Sequence, residues 1–154
     1  MNLTKSRKVV NEYISDGLKY VEPVAILSTL VSNEPSKLMY KKDYKEYLQL
    51  PDILTVYRGC SLDELKEGFG WPLGISWSLD KNIAEFFAYR YGGKGMCVLE
   101  AVVQKKNVRY YTNGRREKEV MIFPGFVEKP HIISKNVTDF DCYKFHEMLD
   151  KQYS

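Results

Sequence analysis

Pro51-Asp52-Ile53-Leu54-Thr55-Val56-Tyr57-Arg58-Gly59 is the stretch at which the chain changes period. Before it, apolar residues recur at helical spacing. From Ile53 they form a short run rich in β-branched and aromatic residues that ends in arginine and glycine, which reads as a strand. The fold class expected is therefore α+β, with residues 1–51 helical and residues 52–154 β-rich. At 154 residues with 44% hydrophobic content, the chain is long enough for one domain with a proper core and short for two.

Working back from Pro51, Lys42 to Leu50 carries Tyr44, Tyr47 and Leu48 as one stripe of a short helix. Pro23 opens a more buried helix through Val24, Ala25, Ile26, Leu27, Leu30 and Val31, ending near Asn33 to Pro35. Lys5 to Leu18 is amphipathic through Val9, Val10, Tyr13, Ile14 and Leu18, with Gly17 as its stop. These tyrosine and leucine stripes read as packing faces, and nothing in the first third reads as chemistry.

Working forward, Ser61 caps a short helix through Glu67, and a glycine-rich loop covers Gly68 to Gly74. That loop is not a phosphate-binding P-loop: it leads into a strand and lacks the Lys-Ser/Thr ending. It reads as a mobile loop bordering a site, with a plain connector as the alternative. Gly74-Ile75-Ser76-Trp77-Ser78 alternates, so Ser76 and Ser78 share a face while Ile75 and Trp77 pack behind. Asp80 caps the next helix, on which Ile83, Phe87 and Tyr91 form a stripe ended by Gly92-Gly93. Gly95 to Val103 and Asn107 to Tyr111 read as strands. Asn113-Gly114 predicts a turn, and the apolar second half of Arg115 to Pro124 a strand that turns off at Pro124, with Glu117 and Glu119 on one face at its mouth. Phe126 to Asn136 follows as a strand, and Phe140 to Leu149 fits either a strand or a helix.

A formal net charge of +3 is too mild to imply nucleic-acid binding. Cys60, Cys97 and Cys142 lack paired metal-ligand spacing and read as reduced thiols, so no metal is expected. No apolar run has signal-peptide or membrane-spanning character, and the expectation is a soluble, cytoplasmic protein without a membrane partner. His131 and His146 are single and read as structural. Of the basic run Lys105, Lys106, Arg109, Arg115, Arg116 and Lys118, the plain reading is a solvated turn; the functional one is a surface for phosphates or an acidic target.

Taken singly, an arginine ending a strand, a Ser-x-Ser face and a Glu-x-Glu pair are ordinary surface features. Taken in order, Val56-Tyr57-Arg58-Gly59, Ile75-Ser76-Trp77-Ser78 with Ala84-Glu85-Phe86-Phe87-Ala88, and Glu117-Lys118-Glu119-Val120 make a chain that resembles the Arg-Ser-Glu type of mono-ADP-ribosyltransferases, the toxin-like and ecto-enzyme branch that uses NAD. Family members commonly have Ser-Thr-Ser at the second motif, where this chain has Trp77 in the middle. The resemblance implies two small antiparallel sheets clasping an NAD cleft, flanked by helices, with the helical N-terminal part as a cover. It also implies a bacterial or phage effector that modifies a target protein on arginine, with Glu117 selecting the arginine acceptor and Tyr110 to Gly114 at the substrate-recognition turn.

The chemistry assigns roles to the same residues. Cleaving the nicotinamide–ribose bond develops oxocarbenium-like positive charge, which a carboxylate at Glu119 stabilises. Arg58 offers forked donors to the pyrophosphate, and Gly59 lets the backbone approach the nicotinamide amide. Ser78 is expected to hold Glu119, and Ser76 to steady the nicotinamide ribose region. Alternatives on the same residues are an NAD glycohydrolase, a transferase acting on nucleic acid, and a non-catalytic binding module.

Overall fold

The computed structural model of the protein describes residues 2–65, 74–90, 94–138, 140, 145–147 and 150. The helical part comprises α1 (Leu3–Asp16), α2 (Pro23–Ser32), α3 (Pro35–Leu38) and α4 (Lys41–Gln49). Asn2 caps α1 by accepting from the Lys5 N–H at 2.9 Å, and Gly17 ends it, its N–H donating to the Tyr13 carbonyl. Proline opens both α2 and α3, where a missing N–H costs nothing.

The rest is β1 (Ile53–Ser61), β2 (Ser76–Ser78), α5 (Lys81–Arg90), β3 (Met96–Gln104), β4 (Val108–Thr112), β5 (Glu119–Ile122) and β6 (His131–Lys135). Ser61 and Asp80 cap as expected, accepting from the N–H groups of Asp63 and Asn82. Among the described residues the strands form one antiparallel sheet in the order β4-β5-β2-β1-β3-β6, which corrects the expectation of two sheets. The reason lies in β2. It pairs with β5 along its whole length and with β1 through one residue pair, Tyr57↔Ser78, so a single rung joins two three-stranded halves.

Other boundaries move as well. The strand expected to carry both Glu117 and Glu119 at its start begins only at Glu119, because Arg116 and Lys118 have φ of 61° and 45°, which extended backbone cannot adopt. Glu117 thus stands in the turn before the strand. Phe126 lies in a 3₁₀ turn from Pro124, the last strand is confined to His131–Lys135, and residues 145–147 are helical. Residues 66–73 and 91–93, which include most of the glycine-rich loop, Tyr91 and Gly92-Gly93, lie outside the described residues, as does Cys142.

The main core gathers Val10, Ile26 and Leu30 from the helices with Val56, Trp77, Leu99, Val120 and Ile122 from the sheet. Ile75 and Trp77 pack behind the serine face, and Trp77 is only 2% exposed. A second cluster sets Ala84 and Ala88 of α5 on Val98, against Tyr57. Gly59 makes this packing possible. A Cβ there would stand 2.1 Å from the Ala84 carbonyl oxygen, so α5 could not lie where it does over a larger residue.

Much of the basic run serves helix ends. Arg109 donates twice to the Leu30 carbonyl (3.1 and 2.7 Å) and once to that of Asn33 (3.0 Å), closing the C-terminal end of α2. Lys105 does the same for α4 at Leu48 and Leu50, Arg115 for α1 at Ile14, and Arg7 for α3 at Lys37. The last turn of a helix leaves carbonyls without partners and carries partial negative charge, so cations satisfy both at once.

Candidate active site

The single rung between β1 and β2 leaves a gap in the sheet, and the last turn of α1, the end of β1, α5 and the turn before β5 enclose it. The resulting cavity has a volume of about 730 Å³, within the range of small-molecule sites. Arg58, Gly59, Ser76, Ser78, Glu117 and Glu119 all line it. Residues as far apart in sequence as Arg58 and Glu119 are thereby brought together. Directly opposed residues of an antiparallel ladder share a face, so the pairs Tyr57↔Ser78 and Ser78↔Glu119 set these three side by side across three strands.

The serine that holds Glu119 is not the one expected. Ser76 Oγ, not Ser78, donates to Glu119 Oε2, at 3.1 Å. Ser78 Oγ instead donates to the Glu117 carbonyl at 2.7 Å and accepts from the Asp80 N–H at 3.0 Å. The physical reason is reach. Ser78 stands directly opposite Glu119, but the long glutamate side chain extends diagonally to the neighbour two residues along, while the short hydroxyl opposite it meets only backbone. Ser78 therefore fixes the turn that carries Glu117 and starts the approach to α5.

Arg58 is tightly held. Its Nε and Nη2 form a bidentate pair with Glu64 (3.1 and 2.8 Å), and Nη1 donates to the Ser76 carbonyl at 2.7 Å. Among the described residues, three of its five N–H groups are thus engaged. The backbone of Gly74 lies against the guanidinium, where a Cβ would come within 2.3 Å of Nη2. Burial on its own lowers the pKa of Arg58, but the hydrogen bonds and charge of Glu64 outweigh it, and the group stays charged. Gly59, expected to admit a ligand, has in the packing of α5 a structural reason to be glycine.

Burial pushes the Glu119 carboxyl up to about 7; the Ser76 hydrogen bond opposes this, nearby Glu117 adds to it, and Arg115 and Arg58 oppose it. Glu117 is also raised by burial, with Arg115 and Arg90 acting against the shift. The first carboxylate thus sits at the sheet, at the base of the cavity, and the second in the turn facing two arginines. Such a pair can stabilise developing positive charge and orient a cationic acceptor.

Three contributors escaped the sequence reading. Tyr13 of α1 brings its hydroxyl within 3.0 Å of Ser76 Oγ, Glu64 holds Arg58, and Arg90 of α5 faces Glu117. Tyr13 sat in an apolar stripe, and no local signal separates it from a packing tyrosine. Cys60 and Cys97, far apart in sequence, are opposed across β1 and β3 with their sulfurs 3.8 Å apart, buried and not bonded to each other; burial raises both thiols. Among the described residues no cluster of three metal-ligating side chains occurs, and no helix is long and apolar enough to cross a membrane. Comparison of the chain with protein-family models, with curated proteins and with solved structures finds no match.

Proposed function

We propose that the cavity binds NAD and that the protein is a mono-ADP-ribosyltransferase, moving ADP-ribose from NAD to an arginine of a target protein. The observation that carries this reading is the convergence of Arg58, Ser76 and Glu119 on one cavity, with a buried carboxylate held by hydrogen bonding at its base. In the reaction, the bond between the ribose C1′ and the nicotinamide nitrogen breaks and its electron pair leaves with neutral nicotinamide. A guanidinium nitrogen of the acceptor then bonds to C1′ and loses a proton. Ionised Glu119 stabilises the positive charge that develops on the ribose, and Glu117 orients the acceptor. Arg58 meets the pyrophosphate with its forked guanidinium donors.

A second reading has water as the acceptor. It is favoured by one observation: Glu117 already faces Arg115 and Arg90, which compete with an incoming guanidinium. Incubation with labelled NAD and a cell lysate separates the two. The transferase reading expects label on arginine, lost in Glu119→Ala together with nicotinamide release; Glu117→Ala retains release but not transfer. Nicotinamide release without any labelled protein selects hydrolysis, and unchanged activity in Glu119→Ala overturns both.

A further inference from the structure

Tyr13 belongs to the helical part that reads as packing, yet its hydroxyl reaches the base of the cavity. Its oxygen lies 3.0 Å from Ser76 Oγ, which donates to Glu119 Oε2 at 3.1 Å. A serine hydroxyl has one hydrogen; with that hydrogen on the ionised carboxylate, Tyr13 is the donor and Ser76 the acceptor between them. Ser78 cannot take over, because its hydroxyl serves the Glu117 carbonyl and the Asp80 N–H.

We propose that Tyr13 is a positioning residue for Glu119 that acts through Ser76, fixing the serine hydroxyl in the rotamer that points at the carboxylate and polarising it as a donor. α1 is thereby part of the site. Its last turn is also tied to the Glu117 turn by the bond from Arg115 to the Ile14 carbonyl, so the helix and both glutamates are held in one arrangement. The other groups facing Glu119 are Glu117 and Arg115 from that turn, Arg58 from β1 with Glu64 behind it, and Tyr110 from β4. None of them reaches Ser76 Oγ by a hydrogen bond, so without the tyrosine hydroxyl the serine oxygen loses its donor and the serine is oriented by its bond to Glu119 alone.

The kinetic consequence rests on the transferase reading; the ionisation consequence does not. Carboxyl titration by ¹³C NMR of the glutamate-labelled protein, with the Glu119 signal assigned by its absence in Glu119→Gln, tests the relay directly. Tyr13→Phe is expected to raise the Glu119 midpoint by about half a pH unit, since the charged form loses stabilisation. Ser76→Ala raises it further, and the double variant no further than Ser76→Ala, because two residues acting through one contact are not additive. An unchanged midpoint in Tyr13→Phe, or additive shifts in the double variant, overturns the proposal. In the nicotinamide-release assay Tyr13→Phe is expected to lower kcat about tenfold with KM for NAD unchanged. If the wild-type protein releases no nicotinamide, the transferase reading fails, while the titration still decides the role of Tyr13.

Discussion

Glu119 pays for its place at the base of the cavity in ionisation: a carboxyl that ordinarily titrates near 4.5 does so near 7 because burial strips its water. Two consequences follow at the level of this one residue. If the ionised form is the one that stabilises the ribose cation, kcat/KM for nicotinamide release rises about tenfold per pH unit below 7 and levels off above it, as a pH–rate series will show. The second concerns stability. Between about 4.5 and 7 the folded chain holds a proton that the unfolded chain releases, so this stabilisation is complete below 4.5 and lost as pH rises through 7. Glu119→Gln removes the effect. In urea unfolding the variant is expected to match the wild type at pH 4 and to exceed it at pH 8, by at most about 3 kcal/mol, while releasing no nicotinamide.

Among the elements, the helices depend on cations that come from the sheet. A run containing Lys105, Arg109 and Arg115 has the look of a surface for phosphates or acidic partners, and three of its members instead satisfy carbonyls at the ends of α4, α2 and α1. Arg109→Ala leaves the Leu30 and Asn33 carbonyls without their charged donor. It is expected to cost about 2 kcal/mol in denaturant unfolding, with Arg109→Lys recovering only part because a single ammonium cannot reproduce the fork. The turn carrying Glu117 is likewise held from a helix: buried Asp43 of α4 accepts from Thr112 Oγ1 and the Asn113 N–H at 3.0 and 3.1 Å. The helical part therefore supports the site from three sides, through Tyr13, Asp43 and the capped helix ends.

Across the whole molecule, the sheet is strong in one half and narrow at its middle. β1 and β3 pair without interruption from Ile53↔Gln104 to Ser61↔Met96, whereas β1 and β2 share only Tyr57↔Ser78. The cavity opens at that narrow place, where backbone pairing gives way to side chains, and the Arg58 guanidinium bonds the Ser76 carbonyl there. Hydrogen exchange is expected to reflect this: amides of β1 and β3 exchange slowest, those of β2 distinctly faster, and NAD at saturating concentration slows β2 most. Equal protection across the sheet, or no response of β2 to NAD, would contradict the account of the cleft.

The helical start, the change of period at Pro51, the caps at Ser61 and Asp80, and the six residues Arg58, Gly59, Ser76, Ser78, Glu117 and Glu119 that line the cavity were legible in the sequence. Each depends on neighbours a few residues away: apolar spacing, a hydroxyl or carboxylate two positions before an N–H, or the alternation of a strand. What joins distant segments was decided by the tertiary structure alone. That one rung unites the sheet, that Ser76 rather than Ser78 holds Glu119, that Glu64 occupies Arg58, and that a tyrosine of the first helix completes the site all follow from register, side-chain reach and packing between segments. The physical reason is that local pattern fixes which face a side chain takes, whereas the partner it meets on that face is set by how separate elements come together to bury their apolar surface.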